Sequence, residues 1–191
     1  MFVTQPTIND RIARRVSELR TRQKLSLEAL AETSGVSRSM ISLIERGETS
    51  PTAVVLERLA TGLHVSLAAL FDAPAAAPDP VSRRAMQLRW RDPESGYVRR
   101  NVSPAGVASP LQIVEVVFPA GARVAYETGA REPAIHQQVW VLQGSIDVTL
   151  GDETFHLSTG DCLAHVLDRP MIYVNPTAKP ARYAVVLATR P

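Results

Sequence analysis

Within six positions the chain places Ser37, Arg38, Ser39 and Ser42, three short hydroxyls around one forked and permanently charged donor. A guanidinium can span O6 and N7 of a guanine while hydroxyls hold phosphate oxygens, so this set suits contact with a DNA duplex, these four being the candidate base readers. A helix face that merely meets water more usually carries Glu and Lys in i,i+4 pairs. Upstream, Arg11, Arg14, Arg15, Arg20, Arg22 and Lys24 share a segment whose only acid is Glu18. That run reads equally as a solvated helix face or as a track for phosphates.

The elements that must position these side chains are legible in the apolar residues around them. Ala31, Gly35, Ile41 and Ile44 have the spacing of a helix-turn-helix: a small residue where two helices cross, a left-handed turn, and two apolar residues on one face of the second helix. Ser26 and Ser37 read as N-caps, Gly35 and Gly47 as helix ends, and Ser50-Pro51 as the start of a further helix with proline in its first position. Gly62 and Ser66 repeat the stop and start, and Ile12, Val16 and Leu19 lie on one face of a helix from about Asp10 to Gln23. The expectation is five helices around a core that includes Val16, Leu19, Leu30, Val36, Ile41, Ile44, Leu56, Leu59, Leu63 and Leu70, with Leu27 and Ala31. A helical bundle with no nucleic-acid role would satisfy the same apolar pattern.

Length and composition set the frame. A chain of 191 residues with 45% hydrophobic content is long enough for two modest folded domains, and its formal net charge of +2 is too small to argue for nucleic acid by itself. The single cysteine, Cys162, excludes an internal disulfide and fits a reducing cytosol; lying in a strand beside Leu163, it is expected to be a buried, inert thiol. No apolar run approaches membrane-spanning length and the N-terminus has a polar start, so the expected location is cytoplasmic.

A change of chemistry divides the chain. The stretch from Asp72 to Pro80 is rich in proline and alanine and suits a semi-extended tether. Beyond Arg83 the apolar period falls to two: Leu111–Phe118, Gln138–Leu142, Ser145–Leu150 and Ala181–Ala188 read as strands, with Gly121, Gly144, Gly151 and Gly160 in the turns. The expected domains are therefore 1–72, a linker over 73–82, and 83–191 as a small barrel or jelly roll.

Residues 11–71 resemble the Cro/repressor, or Xre-type, helix-turn-helix family. The run from Gly35 to Glu48, followed by Ser50-Pro51-Thr52, carries the resemblance. It implies that Ser37, Arg38 and Ser39, with Ser42 one turn on, open the recognition helix. The family often has a phosphate-clamping Gln at the start of the preceding helix. Here that position is Leu27, so the phosphate contact is assigned to Arg22, Lys24 or Arg46.

The second half resembles a cupin, most of all the small cupin domain fused behind Xre-type helix-turn-helix domains in bacterial regulators. Val139–Gly144 matches the end of the first cupin motif and Leu157–Asp161 the start of the second, with Asn175 and the terminal strand completing it. Metal-binding cupins place His-x-His and Glu in the first motif and His in the second. Those positions fall on or near Arg131 and Pro133, on Gln137, and on Met171, a poor donor set for a divalent ion. Strand alternation turns His136 away from the interior, and His136, His156 and His165 read as surface or hydrogen-bonded structural residues. The expectation is no metal and no other cofactor.

A barrel without metal leaves an interior for a small organic ligand, lined by Gln137, Val139, Val141, Met171 and Tyr173, with Tyr126 and Arg131 at its mouth. A filled barrel that only pairs two chains is the alternative. The reading that follows is a two-domain, α-then-β transcriptional regulator: a five-helix helix-turn-helix bundle, then a small cupin β-barrel that makes a homodimer on an inverted-repeat operator and senses a small-molecule effector. It is not an enzyme on this reading. A metal-dependent cupin enzyme fused to a DNA-binding module, and a DNA-binding dimer with no effector, remain as rivals.

Overall fold

A computed structural model of the chain describes residues 7–71, 79–107, 109–129 and 134–189. Most of the expected tether, and Arg131, lie outside these. The helical part comprises α1 (Ile8–Arg22), α2 (Leu27–Ser34), α3 (Arg38–Glu45) and α4 (Ala53–Gly62), then a 3-10 helix at Leu67–Phe71. Four α-helices and one 3-10 helix thus stand where five helices were expected. The last segment is only five residues long and has too few turns to settle into α geometry.

Local capping sets these boundaries. Thr7 and Asp10 form a reciprocal capping box, which starts α1 two residues earlier than its apolar periodicity suggests. Ser26 and Ser37 cap α2 and α3 as expected, and Gly35 ends α2 at φ 66°. The fourth helix departs from expectation at both ends. Its N-cap is Thr52, whose hydroxyl accepts from the Val55 amide, so Pro51 lies outside the helix. Gly62 is its last residue rather than its stop, and the left-handed turn is supplied by His64 at φ 54°. Gly62 is small for another reason: a Cβ there would come within 2.8 Å of the Ser34 Cβ, where α4 crosses α2.

Ten strands follow: β1 (Arg89–Arg91), β2 (Val98–Asn101), β3 (Leu111–Phe118), β4 (Arg123–Tyr126), β5 (Ile135–Gln143), β6 (Ser145–Leu150), β7 (Glu153–Ser158), β8 (Cys162–Val166), β9 (Met171–Val174) and β10 (Ala181–Thr189). They form two antiparallel sheets, one in the order β1-β2-β3-β10-β5-β8 and the other β4-β9-β6-β7. This is a two-sheet sandwich, in keeping with the jelly-roll side of the expectation, and the sheets do not close into a barrel. The sheets face each other, since Tyr183 of the first stacks nearly parallel to Tyr173 of the second with centroids 5.9 Å apart. The first two strands escape sequence reading because Arg89, Arg91, Arg99 and Arg100 mask their period.

One hydrophobic core runs through both parts. Phe71, at the end of the 3-10 helix, meets Trp90 edge-on at 5.5 Å, and Trp90 meets Tyr97 at 5.8 Å. Polar contacts reinforce the junction. The Ala53 amide, first in α4, donates to Asp92 Oδ1 at 2.8 Å, Ser66 Oγ donates to Gln112 Oε1 at 3.1 Å, and Arg58 pairs with Glu127.

Candidate nucleic-acid interface and interior cavity

The helix α3 has one buried face, with Ile41 and Ile44 fully enclosed, and one exposed face bearing Ser37, Arg38 and Ser39. This is the arrangement its sequence spacing requires. The exposed residues are already engaged with one another. Ser37 Oγ accepts from the Met40 amide at 3.3 Å and lies 3.2 Å from Ser39 Oγ, and Arg38 forms an ion pair with Glu28 in the first turn of α2. Ser42 Oγ accepts from Arg46 Nη1 at 2.7 Å.

The three cations assigned to phosphate differ in freedom. Arg22 and Lys24 are exposed at the end of α1, Lys24 with a left-handed φ of 58°. Arg46 is held by both oxygens of Glu48 at 2.7 and 2.8 Å, and that contact raises its pKa and lowers that of Glu48. Arg20 has a structural role. Its Nε and Nη2 donate to Glu45 at 2.7 Å each and its Nη1 to the Leu25 carbonyl at 3.0 Å, clamping α1 to the end of α3. The Glu45 hydrogen bond is the main cause of the raised Arg20 pKa.

Between the two sheets lies a cavity of about 60 Å³. Gln137, Met171 and Tyr173, which strand parity turns inward, line it together with Tyr126, which was expected at its mouth. Val139 is completely buried yet does not reach it, and neither does Val141. Alternation along β5 holds from Ile135 to Val141, with Gln137 buried and His136 exposed, and breaks at Leu142–Gln143, where the register with β10 shifts. The Gln137 amide donates to Tyr173 Oη at 2.6 Å and lies 3.2 Å from His165 Nε2. Burial lowers the His165 pKa below its usual value, opposed by its contact with the Val166 carbonyl. Burial also drives Tyr97 up to about 12 and Tyr173 and Tyr126 well upward, so the phenols stay neutral.

Cys162 overturns an expectation. It is exposed, on the outer face of the first sheet opposite Trp140, because β8 is the edge strand and that face is open. The donor set at the cupin metal positions is ill suited to a divalent ion: Gln137 is tied through its amide nitrogen to a phenol, and Met171 offers a thioether. Among the described residues no group of three or more His, Cys, Asp or Glu is placed to hold a metal.

Several cavity residues are absent from the sequence reading. Arg99 and Tyr183 come from the first sheet and Tyr97 from just before β2, while Glu57 comes from α4, Leu67 from the 3-10 helix and Ser66 from the residue before it. Adjacent arginines in an alternating strand did carry a usable signal, since one of Arg99 and Arg100 has to face inward.

A helix-turn-helix family model matches residues 16–70. The HTH-type transcriptional regulator SutR of Escherichia coli (strain K12) is 28% identical over 160 residues, covering 84% of each chain. The HTH-type transcriptional regulator PuuR of the same strain is 26% identical over 166 residues, covering 86% of this chain and 88% of its own. A crystal structure of an HTH_3 family transcriptional regulator from Vibrio cholerae superposes with a TM-score of 0.77 at 26% identity, over 96% of this chain and 98% of its own. Residues 16–70 are thus a domain of the helix-turn-helix family, and over most of its length the chain is similar to HTH-type transcriptional regulators.

Proposed function

We propose that this protein is a transcriptional regulator that binds an inverted-repeat operator as a twofold dimer, its β-domain serving both pairing and effector binding without metal. The observation that carries DNA reading is the division of α3 into a buried Ile41/Ile44 face and an exposed Ser37-Arg38-Ser39 face. The names of the full-length relatives support regulation of transcription. A cytoplasmic location fits this role, and no helix among the described residues is long and apolar enough to cross a membrane.

Pairing is supported by the outer face of the six-stranded sheet. Leu111, Ile113, Val117 and Trp140 are 50%, 41%, 37% and 50% exposed, and β10 joins their strands side by side. Glu115, paired with Arg100, interrupts this row between Ile113 and Val117, and a cluster of exposed apolar side chains of this kind is unusual on a monomer. A second copy is the occupant proposed because one short recognition helix reads too few bases alone. Selection of bound sequences from random duplex DNA, followed by anisotropy titration of the selected site, tests the reading. Recovery of a two-half-site palindrome supports it, and binding without sequence preference overturns it.

A further inference from the structure

Arg99 and Arg100 are neighbours on β2 with opposite fates. Arg100 pairs with Glu115. Arg99 turns into the cavity, is only 6% exposed, and leaves its Nε and one Nη nitrogen buried with no hydrogen-bond partner. The ring of Phe71 lies 5.1 Å from the guanidinium carbon. A cation–π contact offsets part of the desolvation of a guanidinium but satisfies none of its in-plane donors. A buried charge with two orphaned donors beside an open space is incomplete without an acceptor.

The space beside it limits what that acceptor is. A cavity of 60 Å³ has room for about two water-sized groups, hence for a solute of a few heavy atoms. Its walls are mainly phenol rings and aliphatic side chains, with Gln137 and Ser66 among them and the neutral hydroxyls of Tyr97 and Tyr126 3.2 Å apart. Glu57 lines the α4 side, and a ligand with a second negative charge would meet it. Charge, size and planar fork together select a short monocarboxylate, bound through both oxygens.

We propose that this cavity is a site for a small monocarboxylate held by Arg99, and that the helix-turn-helix domain is its lid, so that occupancy fixes how the DNA-reading domain docks on the β-domain. The inference rests on the regulator reading above and specifies its effector class and its route of coupling. Three lid residues, Glu57, Ser66 and Leu67, belong to the helical domain, and Phe71 of the same domain covers the Arg99 face. The signal passes through this packed junction, and residues 73–82 need only stay connected. A ligand couples to DNA affinity only if it binds the docked and undocked arrangements differently, and a site with one wall on each domain meets that condition.

The test uses the full chain and sodium acetate or propionate against sodium chloride at matched ionic strength. Calorimetric titration is expected to show saturable binding with about one carboxylate per chain and a rise in thermal midpoint. Arg99→Met should weaken binding about tenfold or more, and Arg99→Lys should recover part of it. Should Arg99→Met fail to fold, Tyr97→Phe and Leu67→Met provide independent cavity variants whose carboxylate affinity must also change. Operator affinity should shift several-fold between carboxylate-free and saturated protein. Absence of saturable binding by the wild-type chain up to about 100 mM overturns the site. Equal binding by a folded Arg99→Met chain removes Arg99 from it, and binding that leaves operator affinity unchanged overturns the lid. Failure to bind any operator without carboxylate or with it would instead fault the regulator reading.

Discussion

Arg38, the first residue of α3, is paired with Glu28 in the first turn of the preceding helix, and both side chains remain more than half exposed. The pair occupies the guanidinium at little cost, since exposed ion pairs contribute about 0–1 kcal/mol. Binding to a base requires exchanging one partner for the other. Glu28→Gln should therefore raise affinity for DNA about two- to tenfold, while Arg38→Ala should lower it at the cognate site by about 1–3 kcal/mol and relax preference at one base pair. Anisotropy titrations on cognate and point-substituted duplexes check both. Equal loss on unrelated DNA would make Arg38 a phosphate contact.

The outer sheet face gives the second prediction. Trp140→Glu combined with Ile113→Glu places charge in the middle of the apolar stripe and should yield a monomer by sedimentation velocity at micromolar concentration. Its thermal midpoint should stay close to that of the parent, because both side chains are exposed in the single chain. A footprint over two half-sites, about one helical turn apart, should shrink or vanish.

Gly62→Ala should destabilise the protein by about 1–3 kcal/mol through overpacking, because its Cβ would crowd the Ser34 Cβ, the Ser34 amide and Thr33 Oγ1. Thermal unfolding measures the loss. Adding Ser34→Gly should relieve part of it, and a stabilised Gly62→Ala chain would contradict the crossing geometry.

His165 predicts the acid limb of the stability profile. Its folded pKa is depressed by burial below the ordinary histidine value of 6.5, so the unfolded chain takes up the proton first as pH falls. The contribution of neutral His165 is complete above about pH 7 and declines as pH drops through 6.5 toward the folded value. Urea midpoints at pH 7.5 and 5.5 should differ, and His165→Gln should narrow that difference.

Elemental analysis of untagged protein should find well under one equivalent of Fe, Mn, Zn, Ni or Cu per chain, with chelator leaving thermal stability unchanged. The basis is the occupation of the cupin ligand positions by Gln137 and Met171, neither of which supplies charge to a divalent ion. A stoichiometric metal lost on His165→Ala would favour the enzymatic rival.

The helix-turn-helix was legible because its constraints are local: Ser26, Gly35 and Ser37 sit at caps whose chemistry few residues can provide. Strand parity likewise placed Gln137, Met171 and Tyr173 in the interior, since alternation depends only on neighbours along the chain. What sequence could not supply were relations between distant segments. Gly62 resembled a helix stop but answers to Ser34, and Arg99, absent from the sequence reading, faces a cavity walled in part by another domain. Cys162 looked buried by its neighbour Leu163, while its exposure follows from β8 being last in its sheet.

Asp92 gives the second domain a hold on the first that bears on ancestry and engineering. Its carboxylate, from the turn after β1, receives the leading amide of α4, so a helix of the DNA-reading unit is completed by a residue 39 positions downstream. Such a unit is not a freely transplantable module. Grafted onto an unrelated partner, it would carry an uncapped α4 amide and a bare Phe71, and the graft would need its own carboxylate and its own aromatic seat at those two points. Sequence change at Asp92, Trp90 and Arg99 is accordingly coupled to change in the helical domain, and the two halves are expected to vary as one inherited piece.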